Sequence, residues 1–142
     1  MAFTKLDSEL FDEVSEFDLD INKIKKLVEK GANINAIHPE VKNTVLMEAV
    51  EMLEDDEANI ITLLLELGAD ANIEVEELNA LVLAIYDQKI EMIKALIQGG
   101  ANPHAQLADG QTVLEVAEDF FEEMKEQDLD LSIIEQIIAL MK

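Results

Sequence analysis

The chain contains no cysteine, no tryptophan and no arginine, and only two prolines and five glycines among 142 residues. Without cysteine there are no disulfides, thiolate metal sites or thiol nucleophiles. Aromatic residues are 4% of the total against 49% hydrophobic, so the core is expected to be Leu, Ile, Val and Ala packed between helices. Long apolar runs are also missing. Ala80–Tyr86 is among the longest and falls far short of the ~20 residues that span a bilayer. The N-terminus carries Asp7 and Glu9 and lacks a basic segment followed by an apolar one, so no secretory signal is expected and a cytoplasmic protein is. Positive charge is scarce as well. Ten lysines face 32 acids, for a net charge of −22. Such a field repels phosphate backbones and anionic lipid, which argues against nucleic-acid and membrane partners, and it attracts basic proteins. The plainer use of the same charge is to keep an aliphatic stack soluble. Its distribution is uneven: nine acids and one lysine in 41–75 give −8, ten acids and two lysines in 109–142 give −8, and 76–108 carries only −2.

What is present is repetition. Gly31-Ala32-Asn33 recurs as Gly68-Ala69-Asp70 and Gly100-Ala101-Asn102, with the glycines 37 and 32 residues apart. The helix-start residues Thr44, Asn79 and Thr112 lie 35 and 33 apart. A fixed period of this size decides the architecture. The clearest unit is Asn79–Gly100, with a helix start, an apolar segment, a short polar break, a second amphipathic segment and a glycine stop.

The spacing, the closing glycine triplets and three variants of a T-P-L-H-x-A motif resemble ankyrin repeats. The variants are Thr44–Ala49 (TVLMEA), Asn79–Ala84 (NALVLA) and Thr112–Ala117 (TVLEVA). The proline slot holds Val45, Ala80 and Val113, and the histidine slot Met47, Val82 and Glu115, so the helix starts use different chemistry from the family's. The resemblance implies a single all-α domain, a solenoid of about four helix pairs with short β-turn or hairpin fingers. The repeats would run 1–36, 37–73, 74–105 and 106–142.

Along the chain, helices are expected near 5–15, 20–29, 44–53, 58–67, 79–87, 90–98, 112–125 and 130–141. Leu10, Phe11 and Val14 share one face of the first, and Asp18 or Asp20 caps the second. Lys23, Lys25, Lys26 and Lys30 form a solubilising outer surface of a terminal repeat. Acids in Glu51–Glu57 (EMLEDDE) are expected to favour the N-terminus of the helix that follows them. Thr112 and Glu115 have capping-box spacing. Gly68 should occupy a left-handed position at a helix end, whereas Gly99 reads as an extra residue inside a helix.

No constellation supports catalysis, and no cofactor or metal is expected. Ser8, Ser15 and Ser132 have no histidine near in sequence, and His38 and His104 are separated loop residues. Asp18/Asp20 and Asp128/Asp130 have D-x-D spacing, but no loop glycine or closing glutamate follows at calcium-loop spacing; they read as helix caps.

A binding surface remains. The family resemblance implies a concave side made of finger tips and the exposed edges of the inner helices. Carried across repeat by repeat, it gives Ile37, Glu40, Asn43, Glu51 and Met52, then Glu74, Glu76, Leu78, Tyr86 and Asp87, then Gln106, Asp109, Gln111, Asp119 and Phe120. This set puts a few large apolar groups inside a ring of carboxylates. The expected function is a monomeric, non-catalytic module that binds a basic protein through this face. The alternatives are an inhibitor or immunity-type protein that neutralises a basic toxin or nuclease, and a structural scaffold whose acidity serves solubility.

Overall fold

The computed structural model describes residues 2–142, whose regular structure is eight α-helices. They are α1 (Lys5–Val14), α2 (Ile21–Glu29), α3 (Val45–Met52), α4 (Ala58–Glu66), α5 (Ala80–Tyr86), α6 (Ile90–Gln98), α7 (Val113–Glu126) and α8 (Ser132–Met141), with one 3₁₀ turn at Asp55–Glu57. Each begins and ends within two residues of the segment expected from the period. Apart from α7 they are 7 to 10 residues long, shorter than the ~12–15 residues at which an isolated helix becomes marginal in water. Packing between helices must therefore supply their stability.

That packing has two rows. Consecutive helices pair as α1 with α2, α3 with α4, α5 with α6 and α7 with α8. Along the stack α1, α3, α5 and α7 touch in succession, and α4, α6 and α8 do the same beside them. The middle of the first row is the most deeply covered part. All six residues Ala80–Ile85 of α5 and all six residues Val45–Val50 of α3 are buried. At about 1.5–3 kcal/mol for each large aliphatic side chain removed from water, these short apolar helices outweigh their poor intrinsic helicity. The end helix α2 buries only Ile24 and Leu27, and its three lysines and the C-cap Lys30 face solvent. Among the described residues no helix is long and apolar enough to cross a membrane. The described residues form no sheet either, only isolated antiparallel bridges at Val75↔Leu78 and Gln106↔Thr112.

The repeated glycines end helices α2, α4 and α6 in one way. Gly31, Gly68 and Gly100 have φ of 107–108°, and the alanine after each donates its N–H back to Leu27, Leu64 or Leu96 at 2.9–3.0 Å. This is the Schellman arrangement, in which a β-carbon at the left-handed residue is disfavoured. Gly99 differs from expectation. It is the residue that closes α6, with φ −85°, and Leu65 approaches it closely: a β-carbon there would lie 2.4 Å from Leu65 Cδ1 and 3.0 Å from Cγ, so the leucine side chain would have to shift.

After the first two stops, one side chain ties its loop to the next. Asn35 Nδ2 donates to the Gly68 carbonyl (3.1 Å) and its Oδ1 accepts the Asp70 N–H (2.8 Å). Asn72 does the same with Gly100 (3.0 Å) and Asn102 (3.0 Å). The third position of this ladder is His104, whose N–H is held by Asn102 Oδ1. The sharpest finger is Val75–Leu78. Its ends exchange both backbone hydrogen bonds (2.8 and 3.0 Å), and Glu76 and Glu77 have φ of 52° and 67°. Two left-handed residues make a two-residue hairpin turn that normally selects Asn-Gly.

The second and third pairs are joined by an exchange of caps. Lys89 Nζ donates to the carbonyls of Val50 and Leu53, the latter at 2.8 Å, at the end of α3. In return the Asp55 carboxylate accepts the N–H groups of Glu91 (3.1 Å) and Met92 (3.0 Å) at the start of α6. Asp55 was expected to favour the helix that follows it, yet α4 receives no side-chain cap. The acid reaches across to a helix whose own N-cap, Lys89, cannot accept an N–H.

Candidate functional site

In the first row of helices, α3 and α5 end on exposed large side chains. Tyr86 is the last residue of α5 and 45% exposed. Phe120, on α7, packs partly on the core and meets the Tyr86 ring edge-on, with centroids 5.1 Å apart and an interplanar angle of 87°. Met52 ends α3 and is 54% exposed. A terminal position lets Tyr86 and Met52 leave the core, because the helix stops before the next turn covers the side chain; Phe120 lies in the middle of α7 and stays half-buried.

Carboxylates surround the aromatic pair. Burial raises the Tyr86 phenol above its ordinary range, and the charges of Glu123, Asp119 and Asp109 push it further in the same direction. Asp109 and Asp119 are placed by one residue, Gln111: its N–H bonds Asp109 Oδ1 at 3.0 Å, and its side-chain Nε2 donates to Asp119 Oδ2 at 2.6 Å. The helix α7 that carries Asp119 and Glu123 starts with a full capping box between Thr112 and Glu115, as the spacing indicates. A second acidic group lies at the end of α3. Partial desolvation raises the Glu51 carboxyl above the usual range, as do Glu48 and Asp87, while an Asn43 hydrogen bond and Lys89 oppose the rise.

The expected site residues divide into those that face solvent and those that hold the fold. Ile37, Glu40, Glu51, Met52, Glu76, Tyr86, Asp87, Gln106, Asp109 and Asp119 are exposed. Ile37 and Glu40 sit in the first finger, which folds over His38; its Nδ1 accepts the N–H groups of Glu40 (3.2 Å) and Val41 (3.1 Å). Asn43 is not a surface contact. It is 7% exposed, its Nδ2 donates to Glu48 Oε1 at 3.3 Å, and its carbonyl accepts the His38 N–H at 2.9 Å. Glu74 is committed too, because both of its carboxylate oxygens accept the Ala108 N–H, at 3.1 and 2.9 Å, tying one finger to the next. Leu78 is half-buried against the core and pairs with Val75, so it belongs to the turn. Gln111 is half-buried and orients two carboxylates.

Two important residues were not in the expected set. Glu123 completes the acidic rim, and its position four residues after Asp119 on one helix was the available signal. Lys89 had no local signal, since the carbonyls it serves are more than 35 residues earlier. Among the described residues no group of three or more His, Asp or Glu side chains is placed to hold a metal ion. No protein-family model matches the chain, and no curated protein matches it significantly.

Proposed function

We propose that the chain is an ankyrin-type repeat module that acts without catalysis, binding a basic protein through the face formed by the ends of α3, α5 and α7 and the adjoining fingers. The observation that carries the reading is the exposed Tyr86, packed on the half-buried Phe120, beside Asp109, Asp119 and Glu123. A large amphipathic ring at the centre with charge around it is the composition of an interface hot spot and its rim. The repeat reading is supported by the identical Gly31, Gly68 and Gly100 stops and by the Asn35 and Asn72 ties, which recur at the sequence period.

The test uses the whole chain as bait in extracts of its source cells at low and raised salt, in parallel with Tyr86→Ala. A basic protein retained by the parent, lost by Tyr86→Ala and eluted by salt is the expected result. Surface kinetics with that protein should then show Glu51→Lys slowing association and Tyr86→Ala speeding dissociation by about 30-fold, equivalent to ~2 kcal/mol. Identical captures with both baits, or salt-independent association, would remove this face as the binding site.

A further inference from the structure

The proposed binding face has one place where the partner's chemistry can be specified, and the specification rests on the reading above. Tyr86 presents nearly half of its surface to solvent, and its ring meets that of Phe120 in a T-shaped contact. Gln111 holds Asp109 and Asp119 in position, and Glu123 follows Asp119 by one helical turn on α7. The ion pairs of the described residues are Lys23–Glu13, Lys89–Asp87 and Lys94–Glu91, so none neutralises these three carboxylates. The sequence has no arginine that could do so.

We infer that this aromatic and carboxylate surface receives an arginine side chain carried by a basic segment of the protein partner. A purely apolar group docked on Tyr86 would strip water from unpaired carboxylates, which is costly. A guanidinium matches both parts of the surface. Its plane stacks on an aromatic face, and its N–H fork pairs with carboxylate oxygens. An ammonium is more strongly hydrated and offers a point charge in place of a stacking plane, so lysine satisfies the rim and leaves the ring unused. Because Gln111 fixes two of the acids beforehand, little ordering is needed when the arginine arrives.

Tyr86 is the only tyrosine and there is no tryptophan, so emission excited near the tyrosine absorption reports this site alone. The full chain is titrated with acetylated hexa-arginine amide and, separately, with hexalysine amide at low salt. A saturable change with hexa-arginine, at several-fold lower concentration than with hexalysine, is expected. The exposed pair Asp119→Asn with Glu123→Gln should weaken hexa-arginine about tenfold, equivalent to ~1.4 kcal/mol. The control pair Asp12→Asn with Glu29→Gln, both exposed on the first two helices, has the same net charge and should bind within twofold of the parent. Equal weakening by both pairs, or equal affinity for the two peptides, overturns the arginine site while attraction of basic ligands stands. Failure of both peptides to bind overturns the arginine site and the basic-partner reading together.

Discussion

The carboxylates of the first three helix pairs and those around Tyr86 are the same chemical groups put to different uses. Asp7 accepts the N–H groups of Thr4 (2.9 Å) and Asn33 (2.7 Å). Glu13 accepts from Asp20 N–H and pairs with Lys23. Glu48 takes the Ser15 hydroxyl at 2.9 Å and the Asn43 amide, and Asp55 and Glu74 bond backbone N–H groups of the next pair. These acids do the work of helix and loop caps across long sequence separations. Around Tyr86, by contrast, Asp109 and Asp119 meet only Gln111. Two segments with the same net charge of −8 thus contain acids of both kinds: Glu48, Asp55 and Glu74 help hold the stack, and Asp109 and Asp119 remain at the surface. The difference teaches that net charge locates a candidate face only after the acids engaged by backbone donors are set aside.

Removing the engaged cation should have the largest effect. Lys89→Met keeps the length and apolar stem of the side chain but leaves the Val50 and Leu53 carbonyls without their donor. Unsatisfied buried acceptors cost about 1–3 kcal/mol each, so a loss of about 2–3 kcal/mol in denaturant-induced unfolding is expected. Lys94→Met should change stability by less than about 0.5 kcal/mol, because its pairing with Glu91 is a surface i,i+3 contact. Equal effects of the two would mean that Lys89 is as dispensable as an ordinary surface lysine.

Smaller effects are expected at the glycines, and for two separate reasons. Gly68→Val puts a β-carbon on a left-handed residue that has open space around it, so its cost is conformational, about 1–2 kcal/mol. Gly99→Ala has an ordinary φ and fails by contact with Leu65. Its cost should be about 1 kcal/mol and should largely vanish in a Leu65→Ala background. That coupling, read from a double-mutant cycle in thermal unfolding, is what identifies a steric cause. Additive losses would return Gly99 to the role of a helix residue like any other.

The helices were legible because the period, the caps and the glycine stops act locally. Thr44, Asn79 and Thr112 each accept the N–H three residues later, and a reader needs only the neighbouring sequence to see why. Asp20 and Asp130, matched in the two D-L-D segments, each accept the N–H two residues on. The candidate face was legible in part, since Tyr86 and Met52 end their helices and stay exposed. Illegible were the bonds between repeats. Nothing near Lys89 marks it as the cap of α3, and nothing in the finger sequences separates Glu74, which bonds the next finger, from Glu76 at an open tip. Asn43 had the right register for a fingertip contact, but it precedes the deepest helix of the stack and its amide is needed by Glu48.

The smallest expected effects bear on the same comparison through pH. Glu51 and Asp130 are opposite cases. Desolvation raises the Glu51 carboxyl, helped by Glu48 on its own helix and Asp87 across the α5–α6 connection, against Asn43 and Lys89. The folded chain therefore holds this proton more tightly than the unfolded one, and stability falls as pH rises from the ordinary glutamate range through the raised value. Glu51→Gln removes that decline: the variant should exceed the parent at neutral pH and lose its advantage at acid pH. Asp130 is lowered by hydrogen bonds from Ser132, so its contribution is present above the ordinary aspartate range and disappears as pH falls through the lowered value. Asp130→Asn should accordingly be less stable than the parent at neutral pH, with the gap closing in acid. Urea midpoints measured for parent and variants between about pH 3 and 7 separate the two signs. A neutral-pH gain in Glu51→Gln means that the acid at the end of α3 is held there against its own electrostatics, as a group kept for an external cation would be. A loss there would instead make Glu51 another acid engaged in holding the stack, and the proposed binding face would shrink to its Tyr86 half.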